Sequence, residues 1–172
     1  MAKITEKRKI KMIATETILL TRIANRNDAV TISRFNAEMA KETENLDLDT
    51  SRLLSGVLGL FDNAAKGFYI VAESNGTVIG QMMITYEWSD WRNGVFWWIQ
   101  SVYVHPDFRT VGTFKKLYAY AEELAKKEGN VCGFRLYVEK ENAAAQAVYN
   151  KVGMKITEYA MFETDFVIKR LR

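Results

Sequence analysis

The residues best placed to do chemistry lie in one stretch, 95–128. At its centre is His105-Pro106-Asp107-Phe108-Arg109-Thr110-Val111-Gly112. Arg109 offers a permanent positive charge to a diphosphate. Gly112 lets a ligand approach the backbone closely, and the helix start that follows it presents N–H donors on which a phosphate can sit. Taken alone, the same loop also reads as a plain turn with a solvated arginine. Trp88, Trp91, Trp97 and Trp98 crowd a second region, where an aromatic wall could hold a cationic amine. Acidic Glu42, Glu44, Asp47 and Asp49 could attract the same kind of ligand or form ordinary solvated surface. His105 and Cys132 are the sole residues of their types, which leaves too few ligands for a zinc site and none for an intrachain disulfide.

These groups need elements to position them. Residues 95–104 read as a central strand covered on both faces. Phe96, Trp98, Gln100, Val102 and Val104 fall on one side and Val95, Trp97, Ile99, Ser101 and Tyr103 on the other. Phe114, Leu117, Tyr118, Ala121, Leu124 and Ala125 recur at helical spacing over 112–128, and Gly129 fits the stop. Upstream, 16–24 reads as a first strand. Residues 29–41 read as a helix with Val30, Ile32, Phe35 and Met39 inward, 42–49 as an acidic loop, and a second helix follows, capped by Asp49 or Thr50. Residues 67–73 and 77–87 read as strands joined through Ser74-Asn75-Gly76, a strong hairpin signal, and 88–94 as a turn into the central strand. Downstream come a strand over 133–138, a helix from Asn142 to Val152, and two final strands or a hairpin over 154–166. The crossover through the 112–128 helix makes the next strand parallel to the central one. The expected architecture is α/β: a mixed, mostly antiparallel sheet of six to seven strands with helices on both faces.

The chain has 172 residues, 48% of them hydrophobic and 26% charged, which suits a soluble globular chain with a real core. No apolar run is long enough to span a membrane, and no signal core opens the chain. The lone cysteine suits a reducing, cytoplasmic setting. The formal charge is +3, but residues 1–11 hold five basic residues against Glu6, so that the remainder carries about −1. Residues 1–15 are therefore read as a basic arm, either a solubilising tail or an edge strand, and residues 16–172 as one domain. Such an arm could bind RNA, but the nearly neutral remainder argues against a nucleic-acid partner.

Two sets of residues carry a resemblance. The first is Val102-Tyr103-Val104, His105-Pro106-Asp107-Phe108 and Arg109-Thr110-Val111-Gly112. The second is Leu136-Tyr137-Val138-Glu139, Asn142, Ala145-Gln146-Ala147-Val148-Tyr149 and Gly153-Met154. In this order and at this spacing, residues 16–165 resemble the GNAT superfamily of N-acetyltransferases.

The resemblance implies acetyl-coenzyme A as co-substrate, no metal, and a primary amine on a small molecule or peptide as acceptor. It implies backbone contacts to the pantetheine arm from Val102, Tyr103 and Val104, a pairing of ligand with strand. It implies a diphosphate site on the amides of Arg109, Thr110, Val111, Gly112, Thr113 and Phe114. Phe114 stands where the family usually has glycine or alanine. Asn142 would contact the co-substrate, cap its helix, or both. Tyr149 stands where the family commonly has the acid that protonates the departing thiolate. A backbone N–H, that of Val102, would hold the oxyanion. Related diamine acetyltransferases carry a Glu-Asp pair on the fourth strand, where this chain has Gln100-Ser101, so Glu87 is the substitute candidate for the base. The rival reading is a non-catalytic sensor of acetyl-coenzyme A. The aromatic surface suits a homodimer.

Overall fold

The structure is a computed structural model that describes residues 19–168. The basic arm and the start of the first expected strand lie outside the described residues. The chain divides into two compact units, Met1–Tyr137 and Val138–Arg172.

In the first unit, β1 (Leu19–Ile23), β2 (Phe68–Ser74), β3 (Thr77–Ser89), β4 (Gly94–Val104) and β5 (Val131–Arg135) form one sheet in chain order. The first three pairings are antiparallel and the last is parallel, as the crossover requires. The Asn75-Gly76 turn is tight, with both residues at positive φ. α1 (Ala29–Glu44) and α2 (Thr50–Phe61) connect β1 to β2, and α3 (Thr113–Glu128) connects β4 to β5. Asp49 caps α2 by accepting from Arg52 N at 2.7 Å.

α1 and α3 cover opposite faces. Neighbouring residues of β3 show it: a Cβ on Gly80 would meet the Thr113 methyl of α3 at 3.2 Å, whereas Gln81 reaches Asn36 of α1. Beneath α1 and α2, Ala29, Ile32, Val57, Leu60, Tyr69 and Val71 form a buried apolar cluster. Towards α3, Trp97 stacks on Phe134, and Tyr118 meets Phe134 edge-on. Leu117 and Ala121 are fully buried on α3.

Several expectations need correction. α1 runs a turn further than residue 41, so Glu42 and Glu44 are helical and only 45–49 remain as loop. Val30 is 69% exposed; Ser33, Asn36 and Ala40 take buried places instead. The alternation assumed along β4 fails near Ser101. The β3–β4 register shifts there, with two residues of β4 opposite one of β3, and Ser101 adopts φ 47°. The bulge inverts the faces beyond it. Tyr103 packs on Phe35 of α1, while Val104 lies beside Thr113 of α3 and so leaves the row of Phe96, Trp98 and Gln100. β5 ends at Arg135 rather than residue 138.

In the second unit, α4 (Ala143–Lys151) starts from Asn142, whose side chain accepts from Ala145 N at 3.0 Å. The two strands expected over 154–166 are not formed, so the sheet has five strands among the described residues rather than six to seven. Alternating apolar residues make a strand only when a neighbour completes the ladder. Here Ile156 and Phe162 stay 80% and 95% exposed.

Candidate active site

β4 carries the site, and its pairing explains how. The β4–β5 ladder stops at Trp98↔Arg135. From Ile99 to Val104, β4 keeps β3 on one side and has no strand partner on the other among the described residues. Unpaired backbone donors and acceptors on a strand are a template for an extended ligand. Within the ladder, Gly133 sits opposite Phe96. A Cβ there would come within 2.8 Å of the Phe96 ring, at the point where the β4–β5 register shifts.

Beyond Val104 the chain makes a 3-10 turn over Pro106–Phe108 and enters α3. Gly112 precedes the helix at φ 86°, a conformation other residues rarely adopt, and the space where its Cβ would stand is open. The first bond closing the helix runs from Lys116 N to Gly112 O at 3.1 Å. The amides of the first turn therefore have no intrahelical acceptor. Arg109, Thr110, Val111 and Gly112 are exposed, while Thr113 is buried and donates from Oγ1 to Phe108 O at 2.8 Å. This exposed helix start with an arginine beside it fits a diphosphate. Phe114 does not block the loop; its ring turns along the helix to pack on Tyr118.

Arg109 already has partners. Its Nε donates to Val104 O at 2.9 Å, its Nη2 to Glu42 of α1 at 2.6 Å, and its guanidinium lies over the Tyr103 ring. Tyr103 is buried, and that burial, with Glu38 and Glu42 close by, pushes its phenol well above the ordinary range; Arg109 works weakly against this. His105 is half-buried beside Phe108 and its ring accepts from Asp107 N, a local turn contact.

Glu87 lies on β3 opposite Phe96. One of its oxygens accepts from Arg135 Nη1 at 2.5 Å and the other from the Trp98 indole N–H. Arg135 also stacks over Phe96 at 3.8 Å. Close by, Gln100 Nε2 donates to Thr85 Oγ1 at 2.6 Å. Of the four tryptophans, Trp97 is buried in the α3-side core, Trp98 joins the Glu87–Arg135 pair, and Trp88 and Trp91 stand exposed.

The structure thus brings Val102, Tyr103, Val104 and the loop from Arg109 to Phe114 into one continuous strand–loop–helix segment, with Glu87 on the neighbouring strand. Asn142 and Tyr149 belong to the second unit. There Asn142 caps α4, and burial raises the Tyr149 phenol above its ordinary value.

Sequence reasoning missed a polar group beneath the bulge. Gln81, fully buried, donates from Nε2 to Asn36 Oδ1 at 2.7 Å and to Ser101 O at 3.3 Å. Burial raises the Tyr69 phenol above its ordinary value, and the neighbouring Asn36 and Ser101 side chains oppose that rise. The available signal was Gln100-Ser101, a polar pair inside an otherwise apolar strand.

Comparison with known proteins shows the family. The family model described as the Acetyltransferase (GNAT) family matches residues 31–154. A crystal structure from Clostridium difficile 630, described as a possible acetyltransferase, is 44% identical. The match covers 88% of this chain and 99% of that one, with a TM-score of 0.80. A protein from Clostridium acetobutylicum described as a predicted acetyltransferase, solved with acetyl-CoA, is 19% identical and shares the fold at a TM-score of 0.71, covering 86% and 96% of the two chains. AAC(6')-Iy, in complex with a bisubstrate analog, is 16% identical at a TM-score of 0.69, covering 88% and 100%. No curated protein matches the chain. With the family model spanning most of the chain and a relative of this identity over nearly all of it, the chain belongs to the GNAT acetyltransferase family.

Proposed function

We propose that the protein moves an acetyl group from acetyl-coenzyme A to a primary amine by direct attack, without a covalent enzyme intermediate. The observation that carries this reading is the open edge of β4 from Ile99 to Val104, running straight into the helix-start loop with Arg109 and Gly112. An extended, diphosphate-bearing thioester fits such a track: strand-like amides along Val102–Val104, phosphates on the loop. The aminoglycoside enzyme and the acetyl-CoA complex among the structural neighbours are consistent with that class of donor and acceptor.

In the reaction, the amine nitrogen attacks the thioester carbonyl. A C–N bond forms, the C–S bond breaks, and the leaving thiolate takes a proton. We assign that proton to Tyr149. With its phenol raised by burial, Tyr149 stays protonated through neutral pH and is available as the donor. The Val102 amide is the assigned donor to the oxyanion. An ammonium must first lose one proton, and Glu87 is the carboxylate assigned to that step, directly or through water; after attack the nitrogen gives up a second proton, which restores the Tyr149 phenol by way of solvent.

One observation favours a second reading, a sensor that binds acetyl-coenzyme A without turnover. Both Glu87 oxygens are engaged, by Arg135 and Trp98, so a proton taken up there competes with an ion pair. A thiol-release assay across polyamines, amino acids, aminoglycosides and lysine peptides separates the two. The enzyme reading expects release with one class, lowered about a hundred-fold in Tyr149→Phe while donor affinity is kept. Donor binding with no release from any class would establish the sensor instead, and a chain that does not bind the donor would sink both.

A further inference from the structure

We infer that Gln81 is a positioning residue: from β3 it holds the bulged residue Ser101 of β4 in a left-handed backbone conformation, and so sets the aim of the Val102 amide. The inference deepens the proposed function and rests on its placement of the acetyl group at this part of β4.

Ser101 has φ 47°, in the region that L-residues with a Cβ adopt uncommonly, and it sits within a strand where extended backbone is the local preference. Something must hold it there. Its carbonyl accepts from Gln81 Nε2 at 3.3 Å, and its side chain lies near enough to the buried Tyr69 phenol of β2 to oppose the rise that burial causes there. Gln81 is fixed in turn by Asn36 Oδ1 at 2.7 Å. One residue of β4 is thereby tied to α1, β2 and β3 together.

The orientation of the Gln81 amide follows from its neighbours. Both contacts are acceptor oxygens, so the NH2 end faces them and both of its hydrogens are used. The consequence is at the other end. Gln81 Oε1 is buried and has no hydrogen-bond partner among the described residues. A buried orphan acceptor is destabilising, and an apolar side chain of the same size would avoid it. A group that bonds to the strained backbone residue beside the candidate site while leaving its own second polar atom unpaired is explained by what it positions. The bulge it maintains also inverts the faces of β4, turning Tyr103 towards α1 and Val104 towards α3.

The test compares wild type, Gln81→Leu and the double variant Gln81→Leu/Ser101→Gly. It reads amide hydrogen exchange over residues 99–104, acetyl-coenzyme A binding, and kcat and KM for whichever amine wild type acetylates. Gln81→Leu should speed exchange at 99–104 selectively and lower kcat roughly ten- to a hundred-fold, with donor KM within about two-fold, because a small misplacement at a reacting centre costs rate rather than binding. Glycine adopts positive φ without strain, so Ser101→Gly should restore part of the lost kcat. A merely structural role for Gln81 predicts no such rescue. Unchanged exchange at 99–104 in a folded Gln81→Leu protein overturns the inference, as does a double variant no better than the single. Should Gln81→Leu fail to fold, Gln81→Met, unbranched and of matching length, takes its place. If wild type acetylates no amine, the proposed function fails, while the exchange contrast still decides the positioning role.

Discussion

Two polar clusters are built into the same sheet on different terms. On β1 and β2, Arg22 bonds to both Asp28 oxygens at 2.7 and 2.9 Å, to Glu73 at 2.5 Å, and to Ile23 O. Asp28 also accepts from Asn25 N at 2.8 Å, closing a capping box ahead of α1. Every charge there has an opposite charge and several hydrogen bonds. Beneath the β4 bulge, Asn36, Tyr69, Gln81 and Ser101 form a neutral cluster that includes a strained backbone residue and an orphaned oxygen. Fully paired polar groups hold a fold in one arrangement, whereas strain and unmet hydrogen-bonding capacity collect where a structure serves chemistry. The first cluster is remote from the proposed donor track, and the second lies directly under it.

The contrast breaks most visibly at Arg22. Asp28 is only 8% exposed, so Arg22→Leu strands a carboxylate that has little access to water. The expected loss of unfolding free energy is about 2–3 kcal/mol, less than for a fully buried pair because Arg22 itself is partly solvated. Urea denaturation measures it, and donor binding should be unaffected. A loss under about 0.5 kcal/mol would mean that the cluster is ordinary surface polarity.

The pH dependence sharpens the same contrast. The Arg22 guanidinium, more than any other cause, holds Asp28 below its ordinary carboxylate value, against the opposing effect of burial. A carboxylate depressed in the folded state contributes stability that is complete above its unfolded pKa. That contribution fades as pH falls through the unfolded and then the folded value. Stability should therefore decline below about pH 4 in wild type and in Gln81→Leu, and decline less steeply in Arg22→Leu. Parallel acid profiles for all three would show that Asp28 is not linked to folding as the structure implies.

These clusters also mark where the sequence was legible. The hairpin at Asn75-Gly76, the parallel crossover through α3, the Asp49 cap and the Gly112 helix start could all be read, because each rests on a local rule that its own residues satisfy. What failed depends on distant partners. Strict alternation along β4 could not foresee a bulge imposed from α1, β2 and β3. The apolar residues over 154–166 suggested strands that need a neighbour to exist. The ion pair that engages Glu87 could not be read, because Arg135 lies 48 positions away in the chain. The site's backbone was thus easier to read than its side-chain electrostatics.

On stability the second cluster should respond weakly. Gln81→Met removes two donors and one orphaned acceptor, so the two effects offset, and the expected change is within about 1 kcal/mol in either direction. Paired with the drop in kcat, that outcome would separate placement from folding. A loss above about 3 kcal/mol would put Gln81 with the Arg22 cluster, as a residue the fold cannot do without.

The smallest effect is expected at Glu42, where the proposed donor track meets α1. Glu42 and Arg109 form an exposed ion pair at 2.6 Å, with side chains 41% and 44% accessible. Such pairs contribute about 0–1 kcal/mol to stability, so Glu42→Gln should leave unfolding nearly unchanged. Binding is a different matter. If Arg109 serves the diphosphate, Glu42 competes with the ligand for the same guanidinium, and removing its charge should tighten acetyl-coenzyme A by roughly two- to five-fold at low salt. The gain should shrink as salt screens both interactions. Calorimetric titration at two ionic strengths reads both quantities. Weaker binding in Glu42→Gln would reverse the assignment: the carboxylate would then be what holds Arg109 in place for the phosphates, through the same side chain that fixes Val104 O.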